Sequence, residues 1–546
     1  MKTKRIFIVG GVAGGASCAA RLRRLDEQAE IHLIDRGPHV SFANCGLPYF
    51  VGGVIADEAD LLVAAPVLFE ERFNIRVRTG TACIAVDREK RTVTLRDLAS
   101  GTETREHYDA LVLAPGASPV RPPLPGIDLP GIFTLRSIPD SRAIREWIAR
   151  KKPDQAVVVG GGFIGLEMAE NLVHRGLDVT VVERLDQVLP PLDADVADRV
   201  ALRLQERGVH LALGDGVAGW ECPDGDTIVV RTESGAAYAA GLVILAIGVR
   251  PETELARQAG LELGPRGGIK VNPQMQTSDA RIWAVGDAVE VEDAVSGKPV
   301  LVPLAGPANR QGRIAADAIC GRQSAFRGVQ GTAICGVFGL QVAATGASEK
   351  ALLRAGITGF EKVYLHPSQH ARYYPGAKAL HLKILFRRED GRLLGAQAVG
   401  EEGVDRRIDV IAMAIQLGGT VFDLEEAEMC YAPQFGGAKD AVNFAGMVAA
   451  DVLRGDMPLV HWTEPVTADT VFVDVRDPGE YAAGHHDGAI NIPLDELRSR
   501  LADLPASNDV RVYCAVGQRG YLAARILMQN GRAVRNLSGG WQTRCA

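Results

Sequence analysis

Two glycine-rich turns, each set between a short apolar strand and a helix, constrain this chain more than any other feature. Residues 4 to 36 read KRIFIVG, then GVAGGASCAARLRRL, then AEIHLID, the order strand, turn, helix, strand. The turn Gly10-Gly11-Val12-Ala13-Gly14-Gly15 nearly matches G-x-G-x-x-G, with Val12 where the second glycine belongs. Asp35 closes the second strand, where a carboxylate can accept from a ribose 2'-hydroxyl. The pattern recurs in AVVVGGGFIGLEMAENLVHRGLDVTVVE, residues 156 to 183, with Gly160, Gly162 and Gly165 all present and Glu183 ending the next strand. Two βαβ units commit the chain to an α/β architecture with parallel sheets and predict two dinucleotide sites. At the second, Glu183 accepts from a free 2'-hydroxyl and repels a 2'-phosphate, which favours NADH. The adjacent Arg184 leaves NADPH as the alternative.

The chain has 546 residues, enough for three or four domains of ordinary size. Its net charge of -7 offers no electrostatic case for nucleic acid or an anionic membrane as partner. No apolar run approaches the roughly 20 residues of a membrane span, and the start lacks a secretory cleavage pattern. Nine cysteines are scattered without a C-x-x-C pair, which argues against a disulfide framework and against a metal site. A reducing cytoplasm is the expected compartment.

TSDARIWAVGDAV, residues 277 to 289, resembles the FAD-closing segment of flavoproteins that bind two dinucleotides. In those proteins the aspartate at Asp287 binds the ribitol of the flavin. LVLAPGASP and VILAIGVRP resemble the crossings between FAD and NAD domains, so residues 1 to about 450 resemble the pyridine nucleotide-disulfide oxidoreductases. Reductases of the glutathione reductase type carry two nearby cysteines, but here Cys45 in SFANCGLPY stands alone until Cys83. That stretch, with GGVAGGASCAARLRR, resembles the coenzyme A-disulfide reductases and their persulfide-reducing relatives. The resemblance implies a redox-active Cys45 at a helix start over FAD, with dipoles favouring its thiolate. It also implies coenzyme A contacts at Ser41 and Asn44, with phosphate contacts at Arg21, Arg24 and Arg310. ARYYPGA and CYAPQFGGAKDAVN resemble the dimerisation domain of the same reductases, in which two tyrosines reach the thiol site across a homodimer. Tyr374 and Tyr431 are the matching positions.

From about residue 463 the pattern restarts with VDVRDPGEYAAGHHDGAINIPL, which resembles a rhodanese domain. Its thiol is Cys514, in a loop running through Gly517 to Arg519. Ala515 replaces an arginine common in thiosulfate-using versions, so a persulfide or polysulfide donor is expected. The expected division is 1–112 with 278–325 for FAD, 113–277 for NAD, 326–455 for dimerisation and 463–546 for the rhodanese domain. The implied activity is NADH-dependent cleavage of a sulfur–sulfur bond in coenzyme A persulfide, coenzyme A disulfide or polysulfide through Cys45. Cys514 would handle sulfane sulfur. The alternatives are an NADH oxidase or peroxidase cycling a sulfenic acid at Cys45, and a sulfur-delivery or sensing flavoprotein. Cys545 is read as a bystander or a resolving thiol.

Overall fold

The computed structural model describes residues 3–544 and divides into two compact units, 1–190 with 204–329 and 191–203 with 330–546. The first unit holds two five-stranded parallel sheets. One runs Ile282–Ala284, Ala110–Leu113, Arg5–Val9, Glu30–Ile34, Ile75–Arg78. The other runs His210–Leu213, Asp178–Glu183, Gln155–Val159, Leu242–Leu245, Ile132–Phe133. Their central strands are covered on both faces, which is why they read as unbroken apolar runs such as Ile6–Val9.

Small residues shape the helices around the first sheet. The helix Ala13–Leu25 buries Gly14, Gly15, Ala16, Cys18 and Ala19, and so comes close to the helix Ala305–Ile319. A Cβ added at Gly312 would lie 2.1 Å from the Gly14 carbonyl, so this contact is backbone against backbone.

The second unit opens with an antiparallel sheet in the order Ala333–Val337, Leu340–Gly346, Leu393–Gly400, Leu380–Arg387, Phe360–Leu365. The helices Val404–Gln416 and Ala441–Arg454 pack on it, the latter started by an Asp440–Asn443 capping box and stopped by Gly455 in the left-handed region. A parallel sheet follows, ordered Leu459–Val460, Val534–Leu537, Asp509–Tyr513, Thr470–Asp474, Ile490–Asn491. Among the described residues no helix is long and apolar enough to cross a membrane.

Candidate active site

In both parallel sheets the glycine turn sits where strand order reverses, the crevice in which such sheets bind ligands. Gly10 and Gly160 adopt φ of +104° and +108°, and a Cβ there would lie 1.9 Å from the Ala114 carbonyl or 2.4 Å from that of Ala246. Only glycine meets both demands. Gly14 packs beside Val285, while a Cβ at Gly15 or Gly165 would strike the carbonyl of Gly10 or Gly160. Gly162 differs: nothing lies within 4 Å of its missing Cβ, leaving a bare backbone face for a pyrophosphate.

The turn amides also aim the strand-end acids. Gly11 and Gly37 donate to Asp35, each at 2.7 Å, and Gly161 and Leu185 donate to Glu183 at 2.7 and 2.9 Å. Arg184 points away to solvent, 3.8 Å from Glu233. Asp287 follows the strand Ile282–Ala284 half-buried, with no hydrogen-bond partner among the described residues. Burial pushes its carboxyl up, opposed by the charge of Arg136. Arg136, which donates to the Pro115 carbonyl at 3.1 Å, also acts on Asp35.

Cys45 lies in a single 3-10 turn, Asn44–Gly46, before a helix of only six residues, Leu47–Gly52. Ser41, at φ +48°, ties this loop to the first glycine turn by donating its amide to the Gly11 carbonyl at 2.8 Å. As whole residues Cys45 and Asn44 are exposed. The protein's own groups correct the expectation of a favoured thiolate: burial, then the charges of Glu167 and Asp287, push the Cys45 thiol up. Glu167 comes from the helix Phe163–His174, on which the Leu47–Gly52 helix packs. Tyr49 donates to it at 3.4 Å. Burial raises Glu167 to about 7, with Tyr49 opposing the shift and Glu170 adding to it.

The three arginines read as phosphate contacts separate. Arg21 is half-buried and paired with Asp317 at 2.9 Å, so it joins two helices. Arg24 is exposed and has no ion-pair partner among the described residues. Arg310 is exposed and stacks over Phe326 at 5.2 Å.

In the second unit the tyrosine hydroxyl that meets Tyr431 is that of Tyr373, at 2.5 Å, and not that of Tyr374. Tyr374 turns edge-on to His370. The two loops are joined by the Ala371 amide donating to the Gly436 carbonyl, and Arg406 clamps the carbonyls of Cys430 and Phe435. Tyr373 and Tyr431 remain 74% and 48% exposed, so this hydroxyl pair faces solvent in a single chain.

Cys514 directly follows the strand Asp509–Tyr513 and is almost fully buried. The Gly517 amide donates to its sulfur at 3.2 Å, as expected of a loop that cradles an anionic sulfur. Arg519 closes the loop, but both terminal nitrogens are bound to Glu480 at 2.7 and 2.8 Å. Its two terminal nitrogens are thus engaged by that carboxylate, whose bonds, followed by the nearby Cys514, push the guanidinium up. Cys545 lies outside the described residues.

Residues 4–312 match the pyridine nucleotide-disulphide oxidoreductase model, and the chain is 35% identical over 450 residues to a coenzyme A disulfide reductase of Staphylococcus haemolyticus, spanning 82% of this chain and all of that one. The chain belongs to the pyridine nucleotide-disulphide oxidoreductases. It also carries the dimerisation domain of that family at 332–441 and a rhodanese-like domain at 463–543. The crystal structure of reduced Bacillus anthracis CoADR-RHD superposes with a TM-score of 0.97 at 46% identity, covering 100% of this chain and 98% of that one. An NAD-dependent persulfide reductase from A. fulgidus superposes at 0.92 with 36% identity, covering 99% of each.

As a pyridine nucleotide-disulphide oxidoreductase the chain is a flavoprotein using FAD and a nicotinamide dinucleotide. Its residues fit both groups: Gly162 offers an open backbone face, and Asp287 is a carboxylate still lacking a donor. Sequence reasoning passed over Arg136, Tyr49, Glu167 and Tyr373. Only Glu167 carried a signal, as the one acid in the otherwise apolar run Phe163–Ala169.

Glu167 supplies a direct test of the electrostatics. Above pH of about 7 its carboxylate is charged and opposes the Cys45 thiolate; below it, the opposition fades. Glu167→Gln is therefore expected to lower the pH midpoint for iodoacetamide alkylation of Cys45, followed on the Cys45 peptide by mass spectrometry. An unchanged midpoint would show that the two groups are uncoupled.

Proposed function

We propose that this chain is an NADH-dependent reductase that splits sulfur–sulfur bonds of coenzyme A persulfide, coenzyme A disulfide or polysulfide at Cys45. In this reading Cys514 carries sulfane sulfur. The observation that carries it is the lone, exposed Cys45 beside Asp287, in a chain that follows an NAD-dependent persulfide reductase over 99% of both lengths, rhodanese domain included. A single thiol cannot close a disulfide within its own loop, so it cycles either as a sulfenic acid or as a mixed disulfide with a small sulfur compound, and the match to a persulfide reductase favours the second.

The Cys45 thiolate attacks the coenzyme A sulfur of the persulfide, hydrosulfide departs, and a Cys45–coenzyme A disulfide forms. Bound FAD supplies the route by which two electrons from NADH reach that disulfide. Cleavage returns Cys45 and releases coenzyme A thiol, giving NADH + H⁺ + CoA–SSH → NAD⁺ + CoA–SH + H₂S. Ser41 and Asn44 hold the pantetheine arm beside Cys45, and Arg24 and Arg310 meet the phosphates. Residues 1–112 with 278–325 serve FAD and 113–277 serve NADH, preferred over NADPH because Glu183 is the strand-end acid. The active form is a homodimer, supported by the dimerisation domain, whose exposed Tyr374 and Tyr431 hydroxyls protonate the departing thiolate at the partner's thiol site, with Tyr373 bonded to Tyr431.

The test is mass spectrometry of the denatured, unreduced holoenzyme together with anaerobic turnover. A reductant-sensitive coenzyme A adduct on Cys45, with NADH oxidation driven by coenzyme A persulfide, is the expected result. A sulfenic acid on Cys45, with faster turnover of peroxide or oxygen, would replace this reading with an oxidase or peroxidase.

A further inference from the structure

The Cys514 loop is backed by the segment Ser538–Arg544, sequence SGGWQTR. Gly540 lets the segment lie flat on the loop: a Cβ there would be 2.3 Å from the Cys514 carbonyl and 2.7 Å from the Gly517 nitrogen. The Trp541 amide donates to the Cys514 carbonyl at 2.8 Å, and the Gln542 amide to that of Ala515 at 3.0 Å. These bonds orient the peptide planes of a loop whose Gly517 amide must point at the sulfur.

The other side of the segment is held by the antiparallel sheet and the helix Ala194–Glu206 of the same unit. The Tyr364 amide donates to the Ser538 hydroxyl at 3.1 Å, and Arg199 donates to the Gln542 carbonyl at 2.7 Å. His366 Nε2 lies 2.8 Å from the Thr543 hydroxyl, and His366 Nδ1 lies 2.7 Å from His381 Nδ1. His381 Nε2 in turn is 3.4 Å from an Arg199 nitrogen.

The donor directions follow from Arg199. A guanidinium only donates, so His381 Nε2 accepts and its proton sits on Nδ1. That proton is given to His366 Nδ1, which leaves the His366 proton on Nε2, donated to Thr543. The chain runs one way, from Arg199 through both rings to the rhodanese segment, and works only with both rings neutral.

Asp195, Lys383 and Tyr364 face the same cavity of about 20 Å³, enough for one water. Lys383 is already paired with Asp193, Asp195 and Glu349, so none of these carboxylates is free to charge an imidazole. Burial, then the neighbouring His381 and Arg199, hold His366 down to about 3; burial and Arg199 hold His381 to about 4. The chain therefore keeps its direction throughout the neutral range.

We infer that His366, just after the strand Phe360–Leu365 of the dimerisation domain, is a positioning residue for the Cys514 loop and acts through Thr543. The sulfur-carrying loop is thus tuned by a side chain outside the rhodanese-like domain, an inference that rests on the proposed role of Cys514.

The experiment uses full-length, FAD-loaded enzyme in four variants. Thr543→Val removes the acceptor at constant shape and His366→Ala removes the donor; Thr543→Ser and His366→Gln keep them. Two rates are read on the Cys514 peptide by mass spectrometry, alkylation by iodoacetamide and sulfur loading from inorganic polysulfide, with thermal unfolding and Cys45-dependent NADH oxidation as references. Thr543→Val and His366→Ala are expected to slow both Cys514 rates about tenfold, through the maximal rate and not the polysulfide KM. Thr543→Ser and His366→Gln should stay within about twofold of the parent, and all four should keep the Cys45-dependent rate. Parental Cys514 rates in both Thr543→Val and His366→Ala, or a loss of thermal stability with no change in those rates, would overturn the inference. Failure of the parent itself to load sulfur would sink the role of Cys514, while its alkylation rates would still decide whether His366 positions the loop.

Discussion

Cys45→Ser is expected to lower NADH-dependent reduction of coenzyme A persulfide by at least about a thousandfold, because serine is a far weaker nucleophile at neutral pH and cannot form the mixed disulfide. Cys45 has no neighbouring cysteine in its own loop to take over, and the next in sequence, Cys83, lies in the strand Thr81–Asp87. The variant should fold and hold FAD, since the cradle depends on Gly10, Gly15 and Asp287 and not on the sulfur. Anaerobic NADH oxidation by the holoenzyme measures the effect. Full turnover would remove Cys45 from the reaction, whereas sulfur loading at Cys514 should be untouched.

Arg407→Met should cost about 3–5 kcal/mol of stability in the second unit. Arg407 and Asp440 are both almost wholly buried and meet through two bonds, at 3.1 and 2.7 Å. Arg407 also donates to the carbonyls of Gln369 and Gly403, and Asp440 accepts the Val442 amide at the start of its helix. Removing the guanidinium strands a buried carboxylate and loosens the loop that leads to Tyr373. Hydrogen exchange across 404–454 is the measurement: protection should fall in both helices, and unchanged protection would show that the pair contributes nothing. Replacing both partners with apolar residues should recover much of the loss.

How much of the site was legible depends on whether the constraint was local. Gly10 and Gly160 must be glycine because of their own φ and the strand beside them, so the motif alone locates both dinucleotide turns. Asp35 and Glu183 are placed by the lengths of strand, turn and helix. Which of Tyr373 and Tyr374 meets Tyr431 was not legible, since adjacent residues in an irregular loop point apart, and only the folded loops bring the Tyr373 hydroxyl to that of Tyr431. Arg21 and Arg24 share one basic helix, and the pairing of Arg21 with Asp317, almost 300 residues away, was not legible in the sequence.

By itself the sequence determined the number of dinucleotide folds, the solitude of Cys45 and the presence of a second thiol loop at Cys514, because these depend on residue type and short spacing. Tertiary structure alone decided the electrostatics and the partnerships. Burial turns Glu167 into an acid of about 7, Glu480 claims Arg519, and His366 reaches Thr543 across 177 residues of chain. Desolvation and long-range hydrogen bonding are properties of packing, and no run of letters contains them.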